Sequence, residues 1–143
     1  MASLTQLYLH YVWATWDRLP LIVPDIEEQL YSVMAAKCRE LGCIPLAIGG
    51  IDDHVHLLAR LSPKIAVAQL VGAIKGASSH AVTHVIRPDH FFKWQGSYGA
   101  FTISQRSIDQ VYGYIEHQKK HHAEKTVINA LECCAAPDDT SAM

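Results

Sequence analysis

The residues best equipped for chemistry lie in the run Asp52-Asp53-His54-Val55-His56-Leu57-Leu58-Ala59-Arg60-Leu61. Side chains on a strand alternate between its two faces. Ile51, Asp53, Val55, Leu57, Ala59 and Leu61 therefore share one face, and Asp52, His54, His56, Leu58 and Arg60 share the other. Both imidazoles project from the face that is not the hydrophobic one. Strand residues two apart are about 6.5–7 Å from each other. At that spacing two imidazoles can converge on one divalent ion, given a third ligand from elsewhere. The pair also reads as two hydrogen-bonded histidines on a sheet, and the third ligand decides between the readings.

A second group lies near the C-terminus, where residues 107–122 read as a helix. At about 100° per residue, Ile108, Val111, Tyr112 and Ile115 form its apolar stripe, which makes Tyr112 a core aromatic. Tyr114 falls about 120° from the centre of that stripe, with Gln118 one turn further on the same side. Tyr114 reads either as an aromatic packed on a neighbouring loop or as a phenolic nucleophile. In the second reading the Gln118 carboxamide reaches the same metal as the histidines. A phenol has a pKa near about 10 and attacks poorly at neutral pH without help. A divalent ion on a scissile phosphate supplies that help by making phosphorus more electrophilic and stabilising the developing charge. His54, His56, Tyr114 and Gln118 are thus a consistent set for phosphodiester transfer through a covalent phosphotyrosine. His117, His121 and His122 read as a solvated basic helix end near the C-terminal dipole, with a separate metal site as the alternative.

The elements that must position these groups are legible in outline. Residues 4–15, 43–50, 51–61 and 98–103 have strand composition. Residues 24–41 form a helix opened by Pro24, with Asp25, Glu27 and Glu28 in its first turn. Gly42 marks its end. A second helix spans residues 65–86 on the stripe Val67, Leu70, Val71, Ile74 and Ala77. The order βαββαβ followed by a helix is an α+β, ferredoxin-like (RRM-like) antiparallel sheet, with two helices on one face. The other face is free for a ligand, and the C-terminal helix carries the tyrosine. Residues 1–128 read as one domain, and residues 129–143, small and polar at their end, as a loose C-terminal tail.

Composition narrows the classes. Half of the 143 residues are hydrophobic and 18% are charged, which excludes disorder for most of the chain. The formal net charge of −2 excludes a generic basic coat, so a nucleic-acid partner needs a local patch. No run of eighteen or more apolar residues occurs, as a membrane span would require. The first ten residues lack the pattern of a secretory signal. The expectation is a cytoplasmic protein with reduced thiols. Its four cysteines include no CxxC pair.

With these residues in view, the chain resembles the single-tyrosine HUH transposases of the small IS-two-hundred-type insertion sequences, a superfamily that includes the REP-associated tyrosine transposases. The resemblance covers residues 5–122 and rests on five motifs in order. Tyr11-Val12-Trp13-Ala14-Thr15 with Arg18 and Pro20 is similar to the family's opening strand. Asp53-His54-Val55-His56-Leu57-Leu58 resembles its HUH strand, and Lys75-Gly76-Ala77-Ser78-Ser79 its second-helix motif. Trp94-Gln95-Gly96 with Tyr98-Gly99-Ala100-Phe101 resembles the segment before the last helix. Tyr114-Ile115-Glu116-His117-Gln118 with His121-His122 resembles the tyrosine motif. The resemblance implies that His54, His56 and Gln118 bind the metal, Mg or Mn. It implies that Tyr114 takes the 5′ end of the cut strand and that Lys75 contacts DNA. It further implies single-stranded DNA with hairpins at element ends as the partner. The expected assembly is a homodimer in which the tyrosine helix of one chain can serve the histidines of the other. The chain departs from the family in a second helix poor in basic residues and in His117, where Asn is common.

Rival readings are weaker. A histidine-triad nucleotide hydrolase needs a third His two positions after His56, where Leu58 stands. HUH replication or conjugation initiators are longer chains and often carry a second tyrosine. A non-catalytic single-strand binder would show aromatics on the central strands where this sequence has His54 and His56. A domesticated member that binds hairpins without transposing stays open.

Overall fold

Strand β1 (Tyr8–Ala14) is a run of mostly apolar and aromatic residues with His10 at its middle, six of its seven buried. The computed structural model describes residues 2–136. Helix α1 (Pro24–Glu40) starts at Pro24 with Asp25 and Glu27 in its first turn. It ends before Gly42, whose φ of 78° is the left-handed conformation that a side chain disfavours. Strands β2 (Ile44–Gly50) and β3 (His54–Arg60) follow, joined by a tight turn closed by the Ile51 N–H on the His54 carbonyl. Helix α2 (Val67–Ala81) continues into a π-helical turn over Val82–Ile86, so the expected second helix is present with a changed last turn. Strand β4 (Gly99–Ile103) completes the sheet.

The strands are ordered β2-β3-β1-β4 and every neighbouring pair is antiparallel, the α+β arrangement expected. The main core lies on the face carrying Tyr11, Trp13, Val55, Leu57 and Ala59, beneath Ile26, Leu30 and Met34 of α1 and Leu70, Val71 and Ile74 of α2. Each of these side chains loses nearly all its contact with water, and burying one of the Val, Leu, Ile or Met side chains contributes about 1.5–3 kcal/mol.

The other face is not left open. Helix α3 (Ile108–Glu116) packs on β2 and β3, with Val111 and Ile115 against Ala47 and Leu58. It lies so close that a Cβ on Gly49 would stand 2.2 Å from the Ile115 carbonyl oxygen, so only glycine admits the helix here. The expected single helix to residue 122 breaks at His117, whose φ and ψ of −110° and 28° leave the helical region. Helix α4 (Gln118–Glu124) then restarts with Gln118 turned inward and buried. Among the described residues, no helix is long and apolar enough to cross a membrane.

The helical phase also differs from the sequence expectation. Val111, Tyr114, Ile115 and Gln118 are buried, whereas Tyr112 is 45% exposed. Tyr112 is therefore not a core aromatic. The docking surface contains histidines beside Leu58, and it takes the side chains that pair an apolar body with a polar tip.

Candidate metal and tyrosine site

Alternation along β3 delivers His54 and His56 to the α3 face, their ring centroids 5.0 Å apart. Their Nε2 atoms converge on one carboxylate oxygen, Glu132 Oε2, at 3.1 and 3.0 Å. The Nδ1 atom of His54 pairs with Asp53 Oδ1 at 2.8 Å. That of His56 pairs with His10 Nε2 at 2.8 Å. Each imidazole is thus gripped at its far nitrogen and turned so that Nε2 faces the common point. A carboxylate such as Asp53 at the far nitrogen fixes both the tautomer and the orientation of a metal-binding histidine.

Tyr114 and Gln118 arrive from the opposite side. The Tyr114 ring stands edge-on to His56 with centroids 5.9 Å apart, and lies against His121 at 4.7 Å. Its hydroxyl donates to Glu132 Oε1 and accepts from the Ile128 N–H at 3.0 Å. Gln118 Oε1 is 3.3 Å from His54 Nε2 and 3.1 Å from His122 Nε2. His122 therefore belongs to the edge of this site and does not form a separate one with His117 and His121.

The structure thus brings together four of the five expected site residues within one chain, and Lys75 is elsewhere. Its ammonium donates to the Gln95 and Ser97 carbonyls at 2.5 and 3.3 Å, bracing the loop before β4. Burial lowers its pKa. Helix α2, which carries it, packs on the other face of the sheet.

Glu132 is the residue the sequence reading missed. It falls in the segment read as a loose tail, yet residues 128–132 close over the histidines, and a 3₁₀ turn at Asn129–Leu131 presents the carboxylate. A lone Glu among Asn, Ala, Leu and Cys has no periodicity to reveal it. Residues 137–143 of that expected tail lie outside the described residues. The Arg18 guanidinium lies 3.6 Å from Asp53, the partner of His54.

The charges follow from these contacts. Burial opposes a proton on His54, but the Asp53 and Glu132 carboxylates outweigh it and raise the imidazole to about 9. Burial alone would raise Glu132; the hydrogen bonds from His54 and His56 outweigh it and hold the carboxyl well below its usual range. Burial lowers His56, and it lowers His10 to about 3 with His56 beside it. Burial and then the Glu132 contact raise the Tyr114 phenol, which is therefore un-ionised at neutral pH. The metal-free protein accordingly holds a His54 imidazolium against an ionised Glu132.

A raised His pKa stabilises the fold fully below its unfolded value of about 6.5 and loses that contribution as pH rises through the folded value. That folded value is about 9. The urea midpoint of the metal-free protein is expected to fall between about pH 6 and about pH 9.5. Glu132→Gln should show a smaller fall, and an equal fall in both proteins would remove Glu132 as the cause.

The donor set fits a divalent cation. His54, His56 and Glu132 offer two imidazole nitrogens and a carboxylate oxygen, all within 4.8 Å of one another. Borderline nitrogen donors combined with an oxygen donor suit a first-row or similar divalent ion.

A four-stranded antiparallel sheet thus presents two histidines to a helical tyrosine. The sequence profile of the IS200-like transposases matches residues 3–118, and the chain belongs to that family. It is 29% identical over 119 residues to the ISDra2 transposase TnpA of Deinococcus radiodurans, covering 79% of this chain and 84% of that protein. A solved Deinococcus radiodurans R1 chain assigned as a transposase superposes with a TM-score of 0.64 at 28% identity, covering 82% of this chain and 95% of that one. A REP-associated tyrosine transposase bound to a REP hairpin superposes with a TM-score of 0.65 at 14% identity, covering 85% and 72%, which shows the shared fold.

Proposed function

We propose that this transposase cleaves and rejoins single-stranded DNA at insertion-sequence ends, with Tyr114 as nucleophile beside a divalent metal, Mg or Mn, held by His54 and His56. The observation that carries the reading is the convergence of the Tyr114 hydroxyl and both histidine Nε2 atoms on the single carboxylate of Glu132. Gln118 and Glu132 would supply the oxygen ligands. A cation held there would polarise a scissile phosphate and stabilise its developing charge.

The protein's own groups do the rest. Glu132 accepts the hydrogen bond of the phenol and so orients Tyr114 Oη for attack on phosphorus. The P–O3′ bond breaks as the Tyr114 O–P bond forms, the proton lost by the phenol ends on the 3′ oxygen, which leaves as a hydroxyl, and the 5′ phosphate remains on Tyr114. Attack by another 3′ hydroxyl reverses the step, because the phosphotyrosine keeps the energy of the bond.

A hairpin at the element end is the proposed recognition feature, and the hairpin bound by the REP-associated relative supports it. A phosphate contact by Lys75 would act away from the cleavage centre, on the loop that Lys75 braces. The proposed assembly is a homodimer in the cytoplasm. Tyr114 reaches the histidines of its own chain, so sharing of sites between subunits is not required for a complete centre.

Incubation with labelled single-stranded DNA from the flanks of its own gene and Mg²⁺ or Mn²⁺ tests the reaction class. A denaturation-resistant protein–DNA adduct that needs the cation is expected. Cleavage without any adduct would overturn the tyrosine mechanism.

A further inference from the structure

His10 is a fully buried polar residue in the middle of β1 that the proposed chemistry does not use. Register places it there. β1 pairs with β3 so that His10 faces Leu58 and Val12 faces His56, which sets His10 on the histidine face of the sheet. Its ring stacks on His56 with centroids 5.1 Å apart and planes 17° apart. Its Nε2 meets His56 Nδ1 at 2.8 Å, while its own Nδ1 is buried without a partner among the described residues. An unpaired buried nitrogen is rare in a folded protein and calls for a reason.

An imidazole binds a cation only through a nitrogen that carries no proton. His56 Nε2 is the nitrogen facing the convergence point, so binding requires its proton on Nδ1. That buried N–H needs an acceptor. Asp53 holds His54 Nδ1 in the same way. In the metal-free protein His56 Nε2 donates to the ionised Glu132, so a neutral His56 accepts at Nδ1 and His10 Nε2–H is the donor. A cation at His56 Nε2 displaces that proton and reverses the bond, with His56 donating to His10.

We propose that His10 is a positioning residue of the metal centre, whose Nε2 accepts the Nδ1–H of His56 and so holds the tautomer that offers the Nε2 lone pair to a divalent cation. This rests on the metal site proposed above. An apolar side chain at position 10 leaves the His56 N–H unpaired or drives its proton to Nε2, and either outcome weakens the ligand. The unpartnered Nδ1 of His10 is the cost of using a neutral acceptor in a buried place.

Calorimetric titration with Mn²⁺ tests the proposal on the full chain, without DNA. His10→Phe keeps an aromatic plate and removes the acceptor, and should weaken Mn²⁺ binding by about 10–100-fold. His10→Gln, whose amide oxygen reaches the position of Nε2, should recover most of that loss. His56→Ala is the control. If it too leaves Mn²⁺ affinity unchanged, the metal site itself is wrong. If it loses binding while folded His10→Phe does not, the role of His10 is overturned. Should His10→Phe fail to fold, ¹⁵N spectra of the Mg²⁺-loaded wild-type protein decide. A through-hydrogen-bond coupling between His56 Nδ1 and His10 Nε2, with His56 Nε2 unprotonated, is expected. A proton on His56 Nε2 would overturn the assignment.

Discussion

Tyr114→Phe protein is expected to fold and to bind single-stranded DNA, yet to form no covalent adduct. The substitution removes one oxygen and leaves a ring that is 4% exposed in its place between His56 and His121. The fold loses the hydrogen bonds to Glu132 and from the Ile128 N–H, a stability change of about 1–3 kcal/mol at most for two net bonds. The proposed chemistry loses its nucleophile, and single-turnover cleavage should fall by at least about 10³-fold. Tyr112→Phe is the contrasting variant. That side chain is 45% exposed and away from the histidines, so its activity should stay within about two-fold of wild type. The reverse pattern would place the nucleophile at Tyr112. Mixing Tyr114→Phe with His56→Ala protein, once subunit exchange is demonstrated, distinguishes the two arrangements: cleavage returns if the tyrosine of one chain serves the histidines of the other, and stays absent if each site is built from one chain.

His54→Ala and His56→Ala should each lower divalent metal affinity by about 100-fold or more and abolish cleavage, since either leaves a single imidazole ligand. The two losses differ in what they orphan. Without His54, Asp53 and Glu132 lose their shared cationic partner. Without His56, His10 loses its hydrogen bond inside the sheet. Both variants should therefore also be less stable than wild type in the metal-free state, by about 1–3 kcal/mol. Calorimetry showing unchanged affinity in both would refute the metal assignment. Unchanged affinity in one alone would show that the cation is held chiefly by the other histidine with Gln118 and Glu132.

The strand periods and helix signals of this sequence determine the βαββαβ order, and the alternation around His54 and His56 determines that both rings leave the sheet on one face. These are local properties. A strand's two-residue repeat and a helix's first-turn acids act within a few residues, wherever the segment ends up. The five motifs likewise held enough local pattern to identify the family. Tertiary structure decided the rest. Periodicity alone put Tyr112 in the core; the docked helix instead buries Tyr114 and Gln118, because the surface under α3 offers polar partners that its own sequence does not record. His10 acquires its role only when β1 lies beside β3 in register, which pairs residues 46 positions apart. Glu132 enters from a stretch with neither period nor motif, drawn in by two histidines that a buried carboxylate can satisfy together. What only the fold could show is which polar groups share a space shielded from water, since their energies depend on partners distant in the chain.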